Sequence, residues 1–249
     1  MNEVEAAFEK TTKILFGSVL SPLGRYEKWL RRNTPGGRFI KNPDGSCKVF
    51  LPNFSMFQFV PEKAAAGLEA MNENSKKKLN IIQFDFFAIG RDFARSLLVC
   101  EFIEGQNTGI KDCNWYLNCQ HIYKNAYCFY AKYCAYNLWS SFTDHVFGCY
   151  RNMNSNFCIN CYFSSDLNRC FEMDSCRACG DSMFCHNCEN VYDSIFCFNV
   201  KNKRYAVANV EVGRENFLAI KKNFLQWALS ELDSKADLTL NIYNVLCRH

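Results

Sequence analysis

The cysteines of this chain recur at a spacing of three residues, and no other feature of the sequence restricts its fold as strongly. Thirteen of the 16 cysteines lie between Cys113 and Cys197, and every gap between neighbouring members of this group is a multiple of three residues. If the spacing were random, such a run would arise about once in half a million sequences. The cysteine-rich segment is therefore an internal repeat.

The residues in phase with these cysteines carry no charge. We call the 32 positions reached by counting in threes from Asn107 to Val200 the inward row, and none of them is Asp, Glu, Lys or Arg. A period of three fits neither the α-helix, at about 3.6 residues per turn, nor the flat β-strand, at about 2. It predicts a narrow parallel β-solenoid, right- or left-handed, that points one small side chain inward on each short side.

The sequence defines the period of three residues more clearly than it defines the length of one complete turn of the solenoid. Cysteines recur every nine residues from Cys161 to Cys197, and stacked turns place equivalent side chains about 4.8 Å apart. A turn of nine residues is too tight for a closed coil. We therefore expect each turn to span two repeats or another multiple of three residues.

The fold class predicted for the whole chain is mainly β, with a cap at each end of the solenoid. Residues 1–106 lack the period of three and are expected to form an N-terminal α+β domain that covers one end. The solenoid is expected over residues 107–203. An amphipathic helix from about 214 to 232 lies within a C-terminal helical cap at residues 204–249. Such a cap would cover the exposed strand edges of the last turn.

Two interpretations of the cysteines remain open, and they imply different chemistry. Thiols of the inward row are predicted to be buried structural groups, with no cofactor bound. The alternative is a zinc or iron–sulfur site, because Cys-x-x-Cys pairs are typical metal ligands. The ligands of that alternative site are Cys176, Cys179, Cys185 and Cys188. Disulfides and a catalytic thiol are less favoured, because no export signal and no base beside one particular thiol are evident.

A stripe of aromatic residues precedes the inward row by one position. On a solenoid these residues are expected to stack into a ladder on one flank and to form a face that binds a partner. The opposing interpretation is that a terminal segment of the chain packs over them. The stripe consists of Tyr127, Tyr130, Tyr133, Tyr136, Trp139 and Phe142.

The end of the repeat resembles a known group of sequences. The segments Phe184-Cys185-His186-Asn187-Cys188-Glu189-Asn190 and Phe196 to Tyr205, followed by Arg214 to Phe217, resemble uncharacterised cysteine-rich repeat proteins of uncultivated bacteria and archaea. The resemblance is mainly over residues 184–217 and implies a β-solenoid-like repeat closed by an aromatic-rich helix. Ala206 stands where that family tends to have a cysteine, and its separate four-cysteine zinc ribbon is missing. The resemblance implies no activity.

The leading functional hypothesis is a non-enzymatic structural or protein-interaction scaffold, which forms part of a larger assembly. Its expected partner is another protein or a second copy of the chain. The formal net charge of +4 is too small to favour nucleic acid, and no apolar run approaches the ~20 residues of a membrane span. We expect the protein in the cytoplasm or in a particle assembled inside the cell. A second alternative is an enzyme with its site between the N-terminal domain and the solenoid.

Overall fold

The computed structural model of the chain describes residues 2–76, 85–141, 143–148, 150–151, 153–162, 164–166, 168–174 and 180–245. Within these residues a β-solenoid of about eight turns is flanked by helices and a β-hairpin, which confirms the mainly β fold class. The helices are α1 (Asn2–Phe16), α2 (Glu27–Leu30), α3 (Leu68–Ser75), α4 (Phe86–Ser96) and α5 (Arg214–Lys235), with 3-10 turns at Leu23–Tyr26 and Ser55–Phe59. The strands are β1 (Gly37–Lys41), β2 (Lys48–Pro52), β3 (Ile103–Glu104), β4 (Thr108–Lys111), β5 (Asn114–Leu117), β6 (Gln120–Tyr123), β7 (Ala126–Phe129), β8 (Leu138–Ser140), β9 (Glu189–Tyr192), β10 (Lys201–Arg204), β11 (Ala206–Val207) and β12 (Val210–Glu211).

One turn of the solenoid contains twelve residues. Asn114 of β5 pairs in parallel with Ala126 of β7, which pairs with Leu138 of β8. The same interval separates the paired strands β9 and β10 near the other end. Twelve is a multiple of three, as the sequence predicted, and it gives each turn four sides of three residues.

The chain turns at the residue that precedes each inward residue. At these corner positions, every residue in steps of three from Asp112 to Trp139 has a φ between 50° and 69°. This left-handed region costs a residue other than glycine on the order of 1–3 kcal/mol and is entered most readily by Asn and Asp. The corners of the last turns accordingly carry Asn187, Asn190, Asn199 and Asn202. In these turns, one left-handed residue per side is the physical origin of the period of three, whereas the described corner positions from Arg151 to Asp181 have no positive φ.

The inward row forms the interior of the coil, as predicted. Its described members from Cys113 to Cys197 are buried, except for the half-buried Ser164. Backbone N–H groups that face inward donate to side chains of the preceding turn, for example from Asn137 to Asn125 Oδ1 at 2.8 Å. The Cys119 thiol in turn donates to the carbonyl oxygen of Cys128, nine residues ahead, at 3.3 Å. The interior therefore selects small side chains that both pack and form hydrogen bonds.

One side of the solenoid is apolar along its whole length and is covered by helices. It presents a column of residues spaced by twelve: Tyr123, Ala135, Phe147, Ile159, Phe171, Met183, Ile195 and Val207. Phe8 of α1 packs against Phe147 with ring centroids 5.2 Å apart, and Phe16 packs against Phe171 at 4.8 Å. These contacts place the largest hydrophobic core between the solenoid and its flanking helices.

The C-terminal helix α5 extends along this side of the solenoid. Phe224 contacts Phe171, Phe184 and Phe196, which belong to three successive turns. A helix restricted to the open end would touch only the last turn. The expectation that this helix caps the end is therefore not confirmed.

Side chains beyond the last turn form hydrogen bonds with some of the backbone N–H and C=O groups at its exposed strand edge. The Asn209 side chain accepts a hydrogen bond from Phe198 N at 2.8 Å and donates one to Phe198 O at 3.0 Å. The Glu211 carboxylate accepts a hydrogen bond from Arg204 N at 3.0 Å. These side chains replace the backbone groups that another turn would supply, and they discourage further parallel pairing at this end.

The N-terminal segment contacts the solenoid closely at one corner. Gly148 has a φ of 89°, and a Cβ there would lie 1.9 Å from the carbonyl oxygen of Leu30, at the end of α2. Only glycine therefore permits this approach. Asn160, one turn further, donates to the carbonyl oxygen of Trp29 at 3.0 Å. The antiparallel hairpin β1–β2 packs nearby, against β5 and β7.

Candidate interaction face and neighbouring sites

The interior thiols are sealed inside the coil and are poorly suited to nucleophilic chemistry. Burial raises the pKa of the Cys119 thiol, and it raises the pKa of Cys134 to about 12. A thiol with so high a pKa is almost entirely protonated at neutral pH, and the thiol is far less nucleophilic than the thiolate. These cysteines act as packing and hydrogen-bonding groups.

In the last turns of the solenoid, the pKa of two buried thiols is lowered instead of raised. Hydrogen bonding among three neighbouring thiols raises the pKa of Cys185 and lowers the pKa of Cys188 and Cys197, the latter to about 7. The Cys197 side chain is nevertheless fully buried. Its lowered pKa therefore does not make it accessible to a substrate.

The metal site considered for the Cys-x-x-Cys pairs is only partly described. Cys185 and Cys188 are buried members of the inward row, whereas Cys176 and Cys179 lie outside the described residues. Among the residues that are described, no group of three or more His, Cys, Asp or Glu side chains has an arrangement suited to a metal ion. The zinc or iron–sulfur hypothesis stays a prediction.

The aromatic stripe does not form a single ladder, so this geometric expectation was wrong. Tyr127, Tyr130, Tyr133 and Tyr136 occupy the four successive corners of one turn, because corners recur every three residues. Phe142, which follows in the stripe, lies outside the described residues. Aromatic residues stack instead at a spacing of twelve, where they occupy the same corner of successive turns.

Among the described residues, two columns of this kind contain three or more rings. In the first, Trp115 and Tyr127 are tilted at a centroid separation of 5.1 Å, and Tyr127 and Trp139 are stacked at 5.4 Å. At another corner, His121 and Tyr133 are nearly parallel at 5.4 Å, and His145 follows at 6.0 Å. Tyr127 also packs against Phe57 of the N-terminal segment, and Tyr136 is buried. Parts of the stripe are therefore covered by the same chain.

The first of these stacks borders an exposed apolar surface that we call the aromatic face. It comprises the outer surface of the sheet β3–β5–β7–β8 and residues beside that sheet, and its large side chains are between 37% and 54% exposed. Phe129 and Met153 face outward from the sides, and Tyr130 lies at the next corner. The members of the aromatic face are Phe102, Ile103, Trp115, Phe129, Tyr130, Trp139 and Met153.

A buried acidic cluster lies beneath the end of the chain. Glu172 is 2% exposed, and its Oε1 atom accepts hydrogen bonds from Tyr162 OH and from Ile242 N, both at 3.1 Å. Burial raises the pKa of Glu172 to about 7. The neighbouring Asp174 contacts His186 and lies 3.5 Å from Tyr243 OH. We call residues 237–245, which cover this cluster, the C-terminal strap.

One cavity between the N-terminal segment and the solenoid is too small to hold a substrate. A cavity lined by Arg31, Lys124 and Tyr136 has a volume of about 10 Å³, whereas small-molecule sites commonly occupy about 300–1,000 Å³. Lys124 Nζ forms an ion pair there with Glu27 at 2.9 Å. This cavity therefore gives no support to the enzyme hypothesis, which stays a prediction.

Comparisons with known proteins identified no family model, no curated protein and no solved structure that matches this chain. The resemblance to cysteine-rich repeat proteins consequently stays a prediction. Among the described residues, no helix combines the length and the hydrophobicity that crossing a membrane requires.

Proposed function

We propose that this protein is a non-enzymatic scaffold that binds another polypeptide through the aromatic face. The observation that carries the proposal is the exposure of seven large apolar side chains on and beside the sheet β3–β5–β7–β8. Contiguous exposed apolar surface commonly marks an interaction site. Aromatic and methionine side chains are also enriched at protein interfaces.

The backbone beneath the aromatic face supports this role. β5, β7 and β8 are joined by parallel ladders and stand on a closely packed interior. The face therefore has a fixed shape, and little conformational freedom would be lost when a partner binds. The apolar column on another side of the same coil is already covered by α1 and α5.

A protein partner fits the composition of the face better than nucleic acid does. The corner on one side of the outward residues carries Asn118, Tyr130 and Asn154, which have no positive charge. The corner on the other side carries a single cation, Arg151, which follows Trp139 by one turn. Nucleic-acid platforms combine stacking rings with a groove of Lys and Arg side chains that follows the phosphates. The partner is either a second copy of the chain or a different protein.

Photo-crosslinking tests the proposal directly. Benzoylphenylalanine is introduced at Trp139 and, in a separate variant, at Trp227 of α5, and each protein is irradiated in its native cells. The two sites are similarly exposed, at 44% and 37%, but Trp227 lies outside the aromatic face. We expect the Trp139 probe to give at least about tenfold more adduct with a defined polypeptide.

The adduct is identified by mass spectrometry, and sedimentation of the purified chain shows whether the partner is a second copy. Trp115→Ser in the protein that carries the Trp139 probe should abolish the adduct. Equal crosslinking from the two probe positions, or an adduct that survives Trp115→Ser, would contradict the proposal.

A further inference from the structure

A second surface feature, which we call the charged groove, lies on another side of the solenoid. It has a volume of about 450 Å³ and extends over successive turns between residues 168 and 204. Its lining residues are Asn168, Arg169, Gly180, Asp181, Tyr192, Asp193 and Arg204. None of them belongs to the aromatic face.

The groove exists because a glycine interrupts a column of larger side chains. Asn168, Gly180, Tyr192 and Arg204 follow one another at a spacing of twelve residues and occupy the same position in successive turns. Gly180 does not have a positive φ, so its backbone conformation does not require glycine. A Cβ at this position would lie 2.9 Å from Cδ1 of Tyr192. The glycine therefore allows the Tyr192 ring to pack directly against the backbone of the preceding turn.

The charges of the groove are balanced but incompletely paired. Arg204 Nε lies 3.3 Å from Asp193 Oδ2 and forms an ion pair with it. Arg169 and Asp181 also line the groove, and neither forms an ion pair or a side-chain hydrogen bond with another described residue. One cation and one anion are thus available to a ligand beside an aromatic ring.

We infer that the charged groove binds a small zwitterion, of the class of an α-amino acid with a planar side chain. Arg169 would bind the carboxylate, since guanidinium and carboxylate groups form paired hydrogen bonds. Asp181 would bind the ammonium group, and the ring of the ligand would pack against the exposed part of the Tyr192 ring. Exposed ion pairs contribute little affinity, so we expect a dissociation constant of about 1 mM.

Titration of the full chain with phenylalanine, followed by NMR of the ligand, tests this inference. Phenylalanine amide and N-acetylphenylalanine each lack one of the two charges and should bind about fivefold more weakly or worse. Gly180→Leu should abolish binding because its side chain would displace the Tyr192 ring, which lines the groove. Gly67→Leu is the matched control, since a Cβ at Gly67 meets no atom within 4 Å.

The surface variants Arg169→Gln and Asp181→Asn keep the test decisive if Gly180→Leu does not fold. Arg169→Gln should weaken the binding of phenylalanine more than the binding of its amide, because only phenylalanine presents a carboxylate. Failure of phenylalanine to bind, or equal binding of all three ligands, would overturn the inference. This result is independent of the aromatic face, because Trp115→Ser leaves the groove unchanged.

Discussion

Glu172→Gln should make the protein more stable than the wild type at pH 8 and equally stable at pH 4.5. The expected gain in the free energy of unfolding at pH 8 is about 3 kcal/mol. Glu172 is almost completely buried, and within the described part of the chain its Oε2 atom has no hydrogen-bond partner. Ionisation at this site places a charge among apolar groups, where solvation is poor.

The direction of the pH dependence follows from the raised pKa. Burial shifts the pKa of Glu172 from 4.5 to about 7, so the folded protein holds this proton more tightly than the unfolded chain does. The stabilisation is complete below pH 4.5 and is lost as the pH rises to about 7. Glutamine resembles the neutral acid at every pH, and its side chain can still accept the hydrogen bonds from Tyr162 and Ile242.

Urea unfolding of both proteins at pH 4.5, 6, 7 and 8 measures the difference. Other titrating groups, including Cys197, are common to the two proteins and largely cancel. Glu215→Gln, an exposed change in the first turn of α5, is the matched control and should show no such trend. A constant difference between Glu172→Gln and wild type across this pH range would contradict the assigned burial of Glu172.

Cys119→Asp should destabilise the protein by about 4 kcal/mol or more. The thiol of Cys119 is fully buried and lies 3.3 Å from the carbonyl oxygens of Leu117 and Cys128. A carboxylate there would face two acceptors and no cation. The loss is comparable with the whole stability of many domains, so we expect substantial unfolding at 25 °C.

The adjacent residue supplies the control for this substitution. Gln120 is exposed, and Gln120→Asp should change the free energy of unfolding by less than about 0.5 kcal/mol. Both variants are compared by urea unfolding at pH 7. Similar stabilities for the two variants would show that the inward row is not the interior of the coil.

The sequence contains enough information to predict the interior, and it also contains the coil length in a less obvious form. The inward row identified the buried residues because each side of the coil points one side chain into the interior, and a side chain in the interior must be uncharged. Gaps that are multiples of three fit several coil lengths, so they could not distinguish nine residues from twelve. The apolar column from Tyr123 to Val207, read in steps of twelve, would have identified the turn.

The aromatic face was predicted only in part. Tyr130 and Trp139 were selected from the stripe with spacing three, but Trp115, Phe129 and Met153 were missed. Counting in twelves places Trp115 and Trp139 on one corner and Phe129 and Met153 on the adjoining side. The stripe also included Tyr136, which is buried because the N-terminal segment packs on its corner, a contact that no local pattern reveals.

The acidic cluster could not be predicted from local sequence at all. Glu172 occupies a corner at which the neighbouring turns carry uncharged residues, Asn160 and Phe184. Its burial depends on the C-terminal strap, in which Ile242 lies 70 residues further along the chain. Contacts of this kind arise from tertiary packing and leave no periodic signal in the sequence.

Residue-resolved alkylation of the native protein, with metal analysis of the same sample, tests the central claim that the cysteine rows form a packed thiol interior. Iodoacetamide is added to the folded chain, and labelled peptides are quantified by mass spectrometry. We predict rapid labelling of the half-buried Cys47 and Cys100, protection of the buried cysteines from Cys113 to Cys197 among the described residues, and no bound metal. Labelling of those buried cysteines as fast as Cys47, or one zinc or iron ion per chain, would contradict the account.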